Sequence, residues 1–224
     1  MALSQRLHPD SLPHLEFPPC AAHAHPMQAT ILIVAAYICG SLPIGVWVGR
    51  AVGVDVRRTG SGNIGATNVA RTAGGLAGLV ALIGDIAKGV VPAALARLLM
   101  SDPRLIALTG LAAVFGHLFS VFLRFSGVKG VATAFGVFVV LTPVAAAVSA
   151  LLFGVMAFAT RYVSLASVSA AVVLPVMAVT CGYPVPLSIA ATIAAASIVL
   201  RHRDNLSRLR RGAELQFRVQ PRGH

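Results

Sequence analysis

The segment Arg57-Arg58-Thr59-Gly60-Ser61-Gly62-Asn63-Ile64-Gly65-Ala66-Thr67-Asn68-Val69-Ala70-Arg71 concentrates the residues of this chain able to do chemistry. Its closely spaced glycines let the backbone enter conformations closed to other residues and turn N–H groups toward one point, while Arg57, Arg58 and Arg71 add positive charge around it. That combination suits a phosphate. A second short cationic loop, Arg124-Phe125-Ser126-Gly127-Val128-Lys129-Gly130, is its natural partner. A third basic stretch begins at Arg201 and reads as an interfacial helix ended by Gly212, in which His202, Asn205 and Arg208 recur every three residues and share a face. The alternative for this stretch is a polybasic anchor on anionic lipid.

Gly60-Ser61-Gly62-Asn63-Ile64-Gly65 also spells G-x-G-x-x-G, with Asp85 at the distance where a dinucleotide fold places its acidic residue. That fingerprint requires a strand before the glycines and a βαβ unit around them, and here both flanks are long apolar runs. A nicotinamide or flavin enzyme is therefore not expected. No motif calls for a cofactor or a metal: there is no phosphate-loop lysine motif and no paired-carboxylate site, and Cys20, Cys39 and Cys181 lie far apart without a CxxC.

The elements that must hold these loops are built from an unusually apolar chain. Of its 224 residues, 57% are hydrophobic and only 11% charged, where a soluble domain has about a quarter charged; the mean hydropathy is +0.82. Much of the surface must then face lipid, which makes this a polytopic, all-α membrane protein. The net charge of +11 sits in short segments between apolar runs and at the C-terminus, where it sets topology and meets lipid headgroups, so a nucleic-acid partner is not expected.

Residues 1–26 are rich in His and Pro, hold no apolar run long enough for a signal-peptide core, and read as a disordered N-terminal extension. Residues 27–215 form a single membrane domain of about seven transmembrane helices, followed by a basic tail at 216–224. Span one, Ile31 to Val48, contains Gly40-Ser41-Leu42-Pro43, where Pro43 kinks the helix and frees a carbonyl that Ser41 can satisfy; Ser41 is equally a candidate substrate contact. Span two, Leu76 to Leu99, carries Asp85 and Lys88 on one face. Each alone costs roughly 2.5–3.5 kcal/mol at mid-membrane, so they face protein or water, as an ion pair or as part of a site. His117, in the second half of span three (Leu105 to Leu123), is either a packing residue or a functional one. The uncharged stretch from Gly130 to Thr160 would be about 46 Å long as one helix, and Thr142-Pro143 divides it into a short span four (Val131–Leu141) and a span five (Val144–Ala159). Span six ends near Cys181, and span seven runs from Leu187 to Leu200.

Seven spans place Arg50, Arg57, Arg58, Arg71, Arg124, Lys129, Arg161 and the C-terminal arginines on one side, against Arg6, Arg97 and Arg104 on the other. The positive-inside tendency then puts the N-terminus outside and the C-terminus in the cytoplasm, with both glycine loops on the cytoplasmic face. An anion site at that surface fits an enzyme joining a phosphorylated polar substrate to a lipid-soluble one, or a transporter of a phosphorylated small solute. Transporters often show internal repeats and midplane polar breaks; the absence of a repeat favours the enzyme.

Taken together, Gly40-Ser41-Leu42-Pro43-Ile44-Gly45, the Gly60–Arg71 segment, Asp85-Ile86-Ala87-Lys88-Gly89, Gly116-His117-Leu118-Phe119, Lys129-Gly130-Val131-Ala132-Thr133, Arg161-Tyr162-Val163-Ser164-Leu165-Ala166-Ser167 and the Arg201–Glu214 tail resemble the PlsY-type acyl-phosphate:glycerol-3-phosphate acyltransferases of bacteria over about Ala29 to Glu214. One departure is Val128, where that family usually has a second glycine before the lysine. The resemblance implies transfer of an acyl chain from acyl phosphate to the sn-1 hydroxyl of glycerol 3-phosphate, without a cofactor, in the bacterial inner membrane and at its cytoplasmic face. It further implies an upstream enzyme that makes the acyl phosphate. By the same resemblance Ser61, Arg71, Lys129, Ser167, His202 and Asn205 form the catalytic centre. Ser41, Gly60, Gly62, Asn63, Gly65, Asn68 and His117 are the associated substrate-binding candidates.

Overall fold

In a computed structural model, residues 26–217 are described. Residues 1–25 and 218–224, which hold most of the expected extension and basic tail, lie outside them, and Pro26 itself opens the first helix. The described chain is helical throughout: α1 (Pro26–Ser41), α2 (Ile44–Ala51), α3 (Ala66–Ala73), α4 (Gly75–Leu99), α5 (Pro103–Leu118), α6 (Val131–Leu141), α7 (Pro143–Thr160), α8 (Val163–Thr180), α9 (Val185–Arg201) and α10 (Arg203–Arg210), with a 3-10 turn at Val121–Leu123.

Among the described residues, five segments are long and apolar enough to cross a membrane: Pro26–Ala51, Gly75–Leu99, Pro103–Leu123, Pro143–Thr160 and Val163–Thr180. A sixth follows if α9 and α10, bent by 52° against each other, count as one span. The seventh expected span, α6, has only 11 residues, about 16 Å at 1.5 Å per residue against a hydrocarbon core of about 30 Å. The break between α6 and α7 falls at Thr142-Pro143, as the proline requires, because its ring cannot continue the preceding helix.

Helices α1 and α5, α4 and α6, α7 and α8, and α8 and α9 form the main packed pairs. The first two are backbone-to-backbone crossings. A Cβ built on Gly40 would lie 2.0 Å from the Ala113 carbonyl oxygen, and one on Gly116 would lie 2.1 Å from that of Tyr37. Gly89 and Gly136 bring α4 and α6 equally close. Small residues at such crossings let helices approach in lipid, where apolar contact alone gives no advantage over the acyl chains. Around the core of Met100, Ile106, Leu118, Phe138 and Leu141, large apolar side chains such as Leu79, Ile83, Leu151, Val155 and Phe158 point outward, a surface suited to acyl chains.

The span-one kink is real, and its satisfaction differs from expectation. Pro43 separates α1 from α2 with φ −87° and ψ 64°, an inverse γ-turn in which Ile44 N–H donates to the Leu42 carbonyl at 3.0 Å. The Cys39 carbonyl, which the proline leaves without its helical donor, is taken by Leu42 N–H at 3.2 Å. Ser41 instead donates to Tyr37 and Gly116 carbonyls, at 2.8 and 3.2 Å, and so ties α1 to α5.

Candidate active site

The glycine segment connects α2 to α3 as a loop whose shape is set by one side chain. Asn68, on the first turn of α3 and buried, accepts from Ser61 N–H at 2.9 Å and donates through Nδ2 to the Val56 and Thr59 carbonyls at 3.0 and 3.1 Å. Gly60 (φ +60°) and Gly62 (φ +70°) supply left-handed turns that an L side chain rarely enters. The Asn63 carboxamide accepts Gly65 N–H at 2.9 Å and closes the approach to α3, while Val56 and Val69 plug the underside. The first amides of α3 have no carbonyl one turn earlier within the helix, which leaves an anion-favouring end at the loop mouth. Ser61 is exposed, and Arg71 lies half-buried on the same short helix.

Not all the expected positive charge reaches this mouth. Asp55 takes the backbone N–H, Nε and Nη2 of Arg57, with Arg58 Nε 3.7 Å away. The Arg57 hydrogen bonds hold the Asp55 carboxyl down to about 2, so it is fully ionised and cancels that guanidinium. Arg71 is left as the loop's cation toward the site. The signal for this pairing was Asp55, two residues before Arg57.

The second loop hangs from the end of α5. Val128 is buried, its N–H donates to the His117 carbonyl at 3.3 Å, and its backbone is not left-handed, so the position does not call for glycine. Val128 also meets the first loop: a Cβ built on Gly65 would stand 3.6 Å from its Cγ1. The adjoining Lys129 is half-buried, and burial brings its ammonium down to about 8, with Glu214 opposing that shift and Arg208 and Arg71 adding to it. Residues of the glycine loop and of the tail are thus the charged surroundings of Lys129.

The tail completes these surroundings. His202, buried at the α9–α10 bend, sets its Nδ1 2.8 Å from the Ile198 carbonyl; since a carbonyl only accepts, Nδ1 carries the proton and Nε2 is an acceptor. Burial, reinforced by the charge of Lys129, pushes His202 down to about 4, and the ring is neutral at ordinary pH. After α10, Gly212 (φ +68°) turns the chain back, and Glu214 accepts from Asn205 Nδ2 at 2.6 Å and Arg208 Nε at 2.9 Å. Burial works against that carboxylate, but the hydrogen bonds from Asn205 and Arg208 and the charge of Arg208 help to outweigh it and keep its pKa below the usual range. Ser167 is buried one turn into α8 and donates to the Val163 carbonyl at 2.7 Å, leaving its lone pairs as acceptors.

Ser41 and His117 are both buried where α1 meets α5. His117 is buried inside the bundle, with Nδ1 3.8 Å from Asp85 Oδ1, and Ser41 bonds to the carbonyl of its neighbour Gly116. Two contributors carried no assigned role in the sequence reading. Glu214 organises the tail, and Arg201 donates to the Leu118 carbonyl while its guanidinium lies 5.1 Å from the Phe119 ring centre. Glu214 was detectable as an acidic residue just past a helix-ending glycine in a basic segment.

Residues 30–212 match the family model described as glycerol-3-phosphate acyltransferase. The chain belongs to that family. It is 47% identical over 188 residues to the glycerol-3-phosphate acyltransferase of Geotalea daltonii, covering 84% of this chain and 97% of the relative. With the glycerol-3-phosphate acyltransferase of Aquifex aeolicus it shares 41% identity over 192 residues, covering 85% of this chain and all of the relative. The crystal structure of PlsY, an integral membrane glycerol 3-phosphate acyltransferase in its glycerol 3-phosphate form, superposes with a TM-score of 0.82 at 40% identity, covering 85% of this chain and 96% of that one. Its lysophosphatidic acid form gives 0.80. This family member is accordingly a multi-pass membrane acyltransferase.

Proposed function

We propose that this chain moves a fatty acyl group from an acyl phosphate to the sn-1 hydroxyl of glycerol 3-phosphate, releasing lysophosphatidic acid and inorganic phosphate. The observation that carries this reading is that three separate segments, the glycine loop with Arg71, the lysine loop with Lys129 and the tail with His202 and Asn205, are linked through the Gly65–Val128 approach and the charges of Arg71, Arg208 and Glu214 around Lys129, on an otherwise apolar molecule. Both substrates are phosphates, and these segments supply the cations and helix-end amides to hold them.

Acyl phosphate is a mixed anhydride with phosphate as its leaving group, so the protein need not form a covalent intermediate. Arg71 and Lys129 hold phosphate charge, with the glycine-loop amides as further donors. Ser61 and Asn205 bind substrate oxygens, Ser167 offers its hydroxyl oxygen to a donor, and His202 accepts the sn-1 hydroxyl at Nε2, aiming its oxygen at the acyl carbon. The new C–O bond forms as the bond to the phosphate oxygen breaks. The hydroxyl proton goes to phosphate: with its second pKa near 6, a phosphate oxygen is a stronger base than a histidine held at about 4. Asn68, spent on the loop's own backbone, shapes the cradle.

The same reading takes all seven apolar segments as membrane-embedded, with α6 as a short one, the N-terminus outside, and the site at the cytoplasmic face of the bacterial inner membrane. The clustering of arginines on the loop side supports that orientation. An upstream enzyme must supply acyl phosphate. Purified protein given palmitoyl phosphate and glycerol 3-phosphate, with no thioester, should release phosphate and form lysophosphatidic acid. Phosphate release no faster than without protein rejects the donor assignment.

A further inference from the structure

Buried in the bundle, α4 carries an ion pair that the transfer chemistry does not use. Lys88 Nζ lies 3.0 Å from Asp85 Oδ1, both side chains are 5% exposed, and the same ammonium donates at 2.8 Å to the Leu42 carbonyl. That carbonyl closes the inverse γ-turn at Pro43, the joint between α1 and α2. A γ-turn holds its three residues with a single bent hydrogen bond, so a second donor on the same oxygen fixes the joint far more firmly than the turn does alone.

The joint matters because α2 bears directly on the glycine loop. A Cβ on Gly45 would fall 1.8 Å from the Ile64 carbonyl, in the middle of the motif, so any swing of α2 is transmitted to the loop. The opposite side of the pair reaches the lysine loop. Thr133, one turn into α6, donates to the Asp85 carbonyl at 2.9 Å. His117, facing Asp85, holds Val128 N–H through its own carbonyl. One buried cluster thus registers the two loops against each other. A pair of well-packed apolar residues would be at least as stable at this depth, so the charges call for a reason other than stability.

We propose that Lys88 is a positioning residue for acyl transfer: by bonding the Leu42 carbonyl it locks the α1–α2 joint and sets the glycine loop against Lys129, while Asp85 makes its charge tolerable at that depth. This rests on the acyltransferase reading above. Asp85→Asn keeps the amine on Leu42 but leaves it without a counter-charge; Asp85→Asn/Lys88→Met removes both charges and the bond.

The two variants should rank in opposite orders. Asp85→Asn melts earlier than the double variant, yet keeps kcat/KM within about threefold of wild type. Asp85→Asn/Lys88→Met melts near wild type and loses tenfold or more in kcat/KM and in glycerol 3-phosphate affinity by calorimetry. A double variant that is both stable and fully active overturns the proposal, as does activity that merely follows melting temperature. Should the double variant fail to fold, Lys88→Arg keeps a cationic donor: retained activity supports the role, and a folded but inactive Lys88→Arg protein overturns it. Calorimetry needs no acyl donor. Wild type that binds glycerol 3-phosphate but ignores palmitoyl phosphate therefore condemns the donor assignment, while the order of affinities still decides the role of Lys88.

Discussion

His202 Nδ1 and the Ile198 carbonyl oxygen are 2.8 Å apart, one helical turn from each other at the end of α9. That bond fixes the tautomer and leaves Nε2 for substrate. Asparagine keeps a donor near Nδ1 and has nothing at Nε2, so His202→Asn should fold and lose activity roughly a hundredfold. Stability gives an independent reading. The folded pKa, about 4, lies below the unfolded value of 6.5, so the unfolded chain takes up the proton first. Wild type then loses up to roughly 3 kcal/mol as pH falls from 6.5 through 4, and nothing above 6.5. Melting at pH 7.5 and pH 5 should show His202→Asn losing less than wild type over that interval; equal losses would contradict a buried neutral ring.

Lys129 titrates in the opposite part of the scale. Its charged form is the one that holds phosphate, and its folded pKa of about 8 means that activity should fall as pH rises through 8. Stability moves the other way over the same interval, since between about 8 and 10.5 the unfolded chain retains a proton the folded one has given up, and folding gains as pH rises. Lys129→Arg keeps its charge at pH 9, so the alkaline fall in kcat/KM should disappear even if the maximal rate drops several-fold. An unchanged alkaline limb in that variant would assign the titration to another group.

Within the glycine loop, two left-handed residues differ in what surrounds them. A Cβ on Gly60 would lie 2.4 Å from the Asn68 carboxamide oxygen, whereas one on Gly62 finds its nearest atom, the Arg57 carbonyl, at 3.3 Å. Both alanine variants carry the backbone penalty, of the order of 1 kcal/mol, but only Gly60→Ala also displaces the residue that shapes the loop. It should lose at least tenfold more kcat/KM than Gly62→Ala. Asn68→Asp should resemble Gly60→Ala, because a carboxylate cannot donate to Val56 and Thr59. Comparable losses in all three variants would mean that Asn68 does not organise the cradle.

What the chain discloses in advance depends on whether the signal is local. Uncharged runs mark the helices, and Pro143 and Pro43 mark two breaks, because those signals need no tertiary partner. The shortness of α6 is also legible, as the distance from Gly130 to Thr142. Pairings are less so. That Asn68 would face inward depends on loop dihedrals at Gly60 and Gly62 that a glycine permits without dictating. Asp85 and Lys88 could be placed on one face from spacing alone, while the third member of the cluster is a backbone carbonyl at Leu42, and backbone atoms leave no trace in side-chain pattern. Ser41 and His117 fall in motif segments, and their burial could not be read there, since a motif marks a segment and not the direction its side chains take.

Glu214 offers a test that joins the tail to the lysine loop. Its carboxylate bonds Asn205 and Arg208, and its charge raises the pKa of Lys129 against the effects of burial and the neighbouring arginines. Glu214→Gln preserves shape and the bond to Asn205, but it removes the charge and turns an amide toward Arg208. With less negative charge beside it, Lys129 gives up its proton more readily, so the alkaline limb of kcat/KM should move to lower pH than in wild type. Loss of the Arg208 pair alone would lower the rate at every pH without moving the limb. A shifted limb that disappears on adding Lys129→Arg identifies electrostatic coupling between tail and loop; a uniform loss with an unmoved limb confines Glu214 to holding the tail in place.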